Sequence, residues 1–533
     1  MVVGKMFYRF WLPTLFLCFA SLSASAQSFR VQCPSATSLH PSANASAPYT
    51  TPTTRTVTIQ QDGNTSFRLP YVDNGGAIKC QQISGGDGYA TMADGTQTYL
   101  FAFGPLSGLN DLAKGQPATQ LGAVFNTAYD PTAPAGSDAS NGAVGLIEPV
   151  TGHVDPRPIM DVGVMNGNMP APLMAIDEDD EFFLTLTNVG QIMRPDLFEQ
   201  HTVHFHGYPN ASAFYDGVPD ASVAINIGGS FTYYYLAPDA GTYFWHCHIT
   251  PPEHLQMGMV GQLYVRPRQN RVRVGNSLFG ALQAQQTDPR TASNCSTDIL
   301  CSSPLPPSNP ALRAISGNYA YNDGDGSTFY DVEYPIQIHG FDPNFHFVGM
   351  TFNPESFTDM KDKFFLLNGR SYPDTVNVTG GNQDSNTVTA NTASPFVGAP
   401  TSSTAMYTQS ADGVGRPSQP LSTKIIIPAG GKALLRISDL DVTEFQTLAS
   451  LGIPMQVIAI NARLLRDQAG SNLYYNTNSI TLGGGESIDV ILDASDTTKY
   501  PAGSTFYLYT PNLDHLSNDA ENFGGLMTEV VIQ

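Results

Sequence analysis

The sequence predicts an all-β protein of two antiparallel sandwich domains, on three observations. Gly 49 and Pro 39 supply turn residues throughout, only 13% of residues are charged, and Thr, Val, Tyr and Phe recur in short runs. Long amphipathic helical patterns are absent, and short strand-like segments separated by turn signals come in two batches with a linker-like stretch between them. At 533 residues the chain exceeds what one ordinary core organises, so two to three domains are expected.

Residues 1–26 have Lys5 and Arg9, an apolar run from about Phe10 to Ala20, and Ala24-Ser25-Ala26 before Gln27. This is the layout of a cleavable secretory signal, and the run is too short to span a bilayer comfortably. No later segment suits a membrane span. The expectation is a soluble, exported protein, periplasmic or extracellular. Residues 27–85, rich in Ser, Thr and Gly, are expected to form an irregular extension.

The first domain is expected over 86–268, opening with the alternating YATMADGTQTYLFAFG. A Gly/Ala/Pro/Asn-rich insertion over about 107–158 follows, then FFLTLTNVG, HTVHFHGY, GGSFTYYYLA, GTYFWHCHI and MVGQLYVRP. Residues 269–325 read as a linker. The second domain, 326–533, runs from YPIQIHGF to LMTEVVIQ, with a polar interruption over about 376–420. The acidic run from Asp177 to Glu181 reads as a solvated turn. Asn44, Asn64, Asn210, Asn294 and Asn377 stand in Asn-x-Ser/Thr sites, relevant only in a glycosylating pathway.

The formal charge is −21, and losing residues 1–26 would leave the chain more acidic still. Such a chain repels nucleic acid and anionic membranes. Once Cys18 leaves with the signal, five cysteines remain, and an odd count outside the cytoplasm marks one for a role other than pairing. Cys33 and Cys80 bracket the extension, and Cys295 and Cys301 lie close together in the linker. Cys247 is left, with a histidine on each side.

Six of the 11 histidines fall between residues 201 and 254. Side chains on a strand alternate faces, so in HTVHFHG His204 and His206 point one way and His201 the other. In WHCHI, His246 and His248 point one way and Cys247 the other. If the two strands are neighbours, one face carries four imidazoles. The opposite face carries Cys247 and His201, with His254 and Met259 available from the following loop. A thiolate, two imidazoles and a weak thioether are the donors of a blue-copper centre. Met257 is read as packing. Zinc is the competing metal, but its closed tetrahedral site gives no reason for a second, four-histidine face.

These motifs resemble the multicopper oxidase and copper nitrite reductase superfamily, built of Greek-key cupredoxin domains. The similarity rests on VMNGNMPAPLMAIDEDDEFFLTLTNVG, HTVHFHG, DGVP, GGSFTYYYLAPDAGTYFWHCH and HCHITPPEHLQMGM. In the second half FLLNGRSYPD, LGIPMQVIAINARLL and LGGGESIDVILDAS are similar to that family's copper-free domain. The resemblance implies His201, Cys247, His254 and Met259 as type 1 copper ligands, and His204, His206, His246 and His248 as type 2/type 3 copper ligands.

A full three-copper cluster in the family takes eight histidines from two domains. Here EFQTLASLG and YLYTPNLDH stand where the second set belongs, with His515 alone as a further candidate ligand. His40, His153, His339 and His346 are expected to be structural. The implied activity is copper-dependent oxidation of a small-molecule, metal-ion or redox-protein donor, with oxygen as acceptor and a homo-oligomer completing the site. Two alternatives stay open: a nitrite-reductase-like enzyme with an intersubunit copper, weakened by histidine at 204 where that family has aspartate, and a non-catalytic blue-copper carrier.

Overall fold

The computed structural model describes residues 33–41, 53–61, 65–73, 75–92, 97–146, 155–208, 212–237, 239–285, 304–307, 312–350, 356–376, 407–409, 415–417, 419–519, 521–522 and 524–533. The signal-like segment, His153, Cys295, Cys301 and the five Asn-x-Ser/Thr asparagines lie outside them.

A hairpin of β1 (Thr53–Gln61) and β2 (Thr65–Asp73) precedes the first sandwich. One sheet of that sandwich is built of β3 (Ile78–Thr91), β4 (Gln97–Pro105), β5 (Gln120–Leu121), β7 (Glu181–Gly190) and β9 (Ser230–Leu236), in the order β4-β3-β7-β9 with β5 on β3. The other holds β6 (Met174–Asp177), β8 (His204–His206), β10 (Gly241–His246) and β11 (Val260–Arg266), in the order β6-β11-β10-β8. Each sheet has one parallel pair, β3 with β7 and β6 with β11, and is otherwise antiparallel. Phe101, Phe103, Phe182, Phe205, Tyr233, Tyr235 and Trp245 fill the space between them.

The second half repeats the plan. Phe364–Leu367, Val332–Phe341, Lys432–Asp439, Glu486–Asp493 and Met455–Ile460 form one sheet in that order. Ile425–Ile427, Met527–Ile532, Thr505–Tyr509, Gln446–Leu451 and Ser479–Leu482 form the other. An aliphatic core including Ile336, Leu435, Val457, Val490 and Leu508 joins them. The halves pack directly: Phe244 and Val260 share a buried cluster with Phe341, Phe364 and Leu440. Gln262 Nε2 donates to the Arg436 carbonyl at 2.9 Å, and Thr242 Oγ1 to Asp489 Oδ1 at 2.6 Å. Among the described residues no helix is long and apolar enough to cross a membrane.

Several segments differ from their reading. Strand β3 starts at Ile78, inside the stretch expected to be irregular. Nearly all of its residues are buried, on both faces, so no apolar/polar alternation marks it. A disulfide between Cys33 and Cys80 ties the chain before β1 to this strand. The insertion folds into short helices, of which Pro156–Gly163 packs Ile159 and Val162 against Leu106 and Val189. Within the linker-like stretch a helix spans Leu278–Gln285, and Tyr321, Asn322 and Asp323 are buried.

The acidic run 177–181 is not a solvated turn. Glu178, Asp179, Asp180 and Glu181 are buried. Arg268 grips Asp179 through Nε and Nη2 at 2.6 and 2.7 Å, and Arg271 Nη2 adds a contact at 2.8 Å. Glu178 accepts from the Arg268 N–H at 2.6 Å and from Asn322 Nδ2 at 2.7 Å, and burial raises its pKa to about 7. Asp180 accepts from the N–H groups of Ala77 and Asp177 at 2.8 and 2.9 Å. Carboxylates enter a protein interior when donors meet them there, and all of these donors but the Asp177 N–H lie far along the chain. His40 serves the same cluster, its Nδ1 2.6 Å from Glu181 Oε2.

Candidate metal centre

Strands β8 and β10 are antiparallel neighbours, pairing His206 with Phe244, Phe205 with Trp245 and His204 with His246. Phe205 and Trp245 turn into the core, so the histidines on either side of them turn outward together. Cys247, one residue past β10, turns back inward.

On the inner side, His201, Cys247 and His254 bring one ligand atom each within 4.8 Å of one another, and all three are fully buried. His254 Nδ1 lies 3.2 Å and His201 Nδ1 4.0 Å from Cys247 Sγ. The Thr202 N–H points at the same sulfur from 3.4 Å. His254 stands on a short helix, Pro251–Gln256, where a loop was expected. Two prolines open it behind Thr250 in a left-handed conformation. Met259 is locked beside Cys247: the Cys247 N–H donates to the Met259 carbonyl at 3.1 Å, and the Met259 N–H to the His254 carbonyl at 2.9 Å. A Cβ on Gly85 of β3 would stand 2.7 Å from His201 Cδ2 and 3.4 Å from Met259 Cε. Bare backbone therefore closes the site on that side.

Burial alone would raise the Cys247 thiol, but the neighbouring charge of His254 and the bonds from His201 and His254 hold it well below the ordinary range. Burial pushes His254 down, yet Cys247 and Glu199 outweigh it and raise His254 to about 10. Both shifts run toward the charged forms, and a sulfur drawn toward its thiolate is suited to bind a metal cation. Glu199 Oε2 sits 3.5 Å behind His254 Nε2.

On the outer side, His204, His206 and His246 bring ligand atoms within 4.8 Å of one another. His248 joins them by ring contact, its centroid 5.1 Å from His204 and 5.6 Å from His246. Two of these rings are oriented by backbone: His204 Nδ1 is 2.7 Å from the Asp216 carbonyl and His246 Nδ1 2.9 Å from that of Cys247. Donating Nδ1–H leaves Nε2 with its lone pair, the state a metal ligand needs. Burial lowers His246 to about 3 and His206 in the same direction, which keeps both rings neutral.

A cleft of about 480 Å³ between the two halves opens onto His206 and His246, lined by Phe244 and Leu255 on one side and Asp441, Glu444, Phe445 and Gly485 on the other. His515 lines a neighbouring cavity. Its Nδ1 is 2.9 Å from Gln446 Oε1 and its Nε2 2.7 Å from Glu444 Oε2, with the ring stacked on Phe365. Met257 is buried in the first core.

Gly85, Glu199 and the carbonyl of Asp216 escaped the sequence reading. Asp216 lies in the DGVP motif, but nothing in a motif says that a carbonyl is the working part. Thr202 had one available signal, its place between His201 and Val203. Its N–H reaches Cys247, and its hydroxyl accepts from the His248 N–H at 3.0 Å.

Fold and site together define a β-sandwich protein with a thiolate–imidazole centre on one side of a strand pair and a histidine cluster on the other. Residues 149–270 match the family model for a multicopper oxidase domain. Over 109 residues the chain is 34% identical to the laccase abr2 of Aspergillus fumigatus, covering 20% of this chain and 17% of the laccase. It is also 34% identical over 109 residues to a copper-containing nitrite reductase of Rhizobium meliloti, covering 20% of this chain and 26% of the reductase. Among solved structures, the blue copper oxidase from Nitrosomonas europaea aligns over 85% of both chains at 16% identity with a TM-score of 0.46. The chain thus spans between about a sixth and a quarter of these two relatives' length. The segment that holds both histidine sets is the part of the chain similar to multicopper oxidases and copper-containing nitrite reductases. Copper is the cofactor this likeness implies, and the thiolate and imidazole donors, with the Met259 thioether nearby, fit it.

Proposed function

We propose that this chain is an exported copper-dependent oxidoreductase of the multicopper oxidase type, passing electrons from a donor to oxygen. His201, Cys247, His254 and Met259 would hold a type 1 copper, and His204, His206, His246 and His248 the type 2/type 3 site. Copper in such donors supplies one-electron redox chemistry. The observation that carries the reading is the continuity of His246, Cys247 and His248. One dipeptide step on either side of the thiolate leads to a ring on the opposite face, a short covalent path between the two donor sets.

The chain's residues have separable tasks. Cys247 and His254 hold the inner charge balance, with Thr202 donating to the sulfur. The carbonyls of Asp216 and Cys247 aim the outer rings. The cleft admits a small acceptor to His206 and His246 past apolar walls, with the carboxylates of Asp441 and Glu444 at its edge. The donor is a phenol-like small molecule, a low-valent metal ion or a redox protein. The outer set supplies half the histidines of a three-copper cluster, so a second copy of the chain is proposed to complete it. The missing histidines also favour one other reading, a non-catalytic blue-copper carrier.

The deciding experiment is copper per chain with visible absorption and paramagnetic resonance on the copper-loaded protein, repeated for His206→Ala and Cys247→Ser. The oxidase reading expects more than one copper, a thiolate band lost in Cys247→Ser, and a second signal lost in His206→Ala. A single blue copper indifferent to His206 leaves the carrier. No blue band at all removes the copper assignment.

A further inference from the structure

The helix carrying His254 is gripped by the other half of the chain. Gln256 stands two residues after His254 and three before Met259, and its side chain is fully buried. Its Nε2 donates to Asp362 Oδ1 at 3.0 Å, and its Oε1 accepts from the Asp342 N–H at 2.9 Å. Both partners belong to the second half and are themselves fixed. Asp342 Oδ1 accepts from the N–H groups of Asn344 and Phe345 at 2.8 and 3.2 Å, and its Oδ2 from that of Lys361 at 2.8 Å. Asp362 Oδ2 accepts from the Thr443 hydroxyl.

The main chain is held at the same point. His346, also from the second half and buried, lies between two carbonyls, with Nε2 3.0 Å from that of Gln256 and Nδ1 against that of Tyr99. A neutral ring donates to one of the two. Tyr99 lies two residues before Phe101 on β4, and the Phe101 ring meets His254 edge-on at 5.2 Å.

A helix of six residues cannot hold its own shape, and this one begins at a residue with φ of 38°. Cys247, by contrast, follows directly on a strand hydrogen-bonded on both sides. The placement of His254 and Met259 relative to the sulfur therefore depends on what holds the helix end. A buried amide with both ends bonded is a strong fixing device, because either partner left alone is left unsatisfied.

We propose that Gln256 is a positioning residue for the blue-copper site: through it the second sandwich, which lacks a histidine set of its own, fixes His254 and Met259 against Cys247. This rests on the copper reading above. Groups that orient ligands from behind tune a metal's potential as well as its affinity.

The test reads the copper-loaded whole chain by redox titration of the thiolate band, by the intensity ratio of the thiolate-to-copper bands, and by the copper hyperfine splitting. Gln256→Met keeps the volume and removes both hydrogen bonds. It is expected to shift the potential and to change the band ratio and the splitting. Asp362→Asn retains an amide oxygen that can accept from Gln256 and is expected to move the spectrum less than Gln256→Met, a larger shift counting against the clamp. Leu508→Ala, in the core of the second sandwich, loosens that half without touching the clamp and is expected to leave the spectrum alone.

A Gln256→Met protein that binds copper with wild-type potential and spectrum overturns the proposal, as does a Leu508→Ala shift of equal size. Should Gln256→Met fail to fold, Gln256→Glu is compared with Gln256→Glu/Asp362→Asn, which restores a donor–acceptor pair. Recovery of fold or spectrum in the double variant supports the clamp, and a double variant no better than the single one overturns it. A wild-type protein without a blue band overturns the copper reading itself and this proposal with it, a result distinct from an unmoved spectrum in Gln256→Met.

Discussion

Gly85→Ala adds one methyl group where strand β3 passes His201. The new carbon would stand 2.7 Å from Cδ2 and 3.3 Å from Cγ of the ring, against 3.4 Å where ordinary contact begins. The ring would have to retreat by roughly 0.7 Å in a core packed like a crystal. It has little room, because its far side faces the Cys247 sulfur at 4.0 Å and the His254 ring at 5.4 Å, all fully buried. Overpacking of this kind costs about 1–3 kcal/mol. Urea unfolding of the metal-free protein, followed by the fluorescence of Trp245, measures it. That residue is fully buried in this core, and the chain's other tryptophan, Trp11, falls within the first 26 residues. The midpoint should fall, and the thiolate band of the copper-loaded variant should move as His201 is displaced. An unchanged midpoint with an unchanged band would refute the inference that bare backbone closes the site.

Two further outcomes follow from buried charge. Arg268→Met removes two hydrogen bonds to Asp179 but leaves it Arg271 as a charged partner, so it should destabilise the first sandwich by about 1.5–3 kcal/mol in the same urea assay; a loss below about 1 kcal/mol would mean that the cluster is wetter than it looks. His246 has a folded pKa of about 3, set chiefly by burial, against about 6.5 when unfolded. Above about pH 6.5 neither state binds the proton and the residue contributes nothing. As pH falls from about 6.5 towards about 3 the unfolded chain takes up a proton that the folded one refuses, and the metal-free protein should lose stability at up to about 1.4 kcal/mol per pH unit from this group. His246→Gln should flatten that slope, and parallel wild-type and variant curves would contradict the assignment.

The strand pair and its two donor faces were legible because alternation is local: knowing that HTVHFHG and WHCH are strands says which rings share a side. The clustered histidines and the odd cysteine needed no distant partner to be noticed. What escaped depends on residues remote in sequence. The run DEDDE reads as solvent-facing until Arg268 and Arg271 are known to meet it, some 90 positions later. Strand β3 hides because burial on both faces erases its pattern. The helix at Pro251–Gln256 is too short to show a period, and Gln256 looks like any surface glutamine until Asp342 and Asp362 close on it. Of the four histidines read as structural, His40 anchors the acidic cluster and His346 braces the metal-site helix, contacts that no spacing announces.

The direct pairing of His204 with His246 has a consequence for assembly. Because side chains on a strand alternate, sliding β8 past β10 by one residue would carry His204 and His206 to the core side while Cys247 stayed where it is. The outer cluster would lose half its rings and the core would gain two imidazoles that nothing there can satisfy. A chain that has paired these strands wrongly therefore keeps Cys247 beside His254 but cannot gather the four outer rings. The register of this one strand pair thus decides how many rings the outer face gathers, and Phe205 paired with Trp245 in the core fixes it.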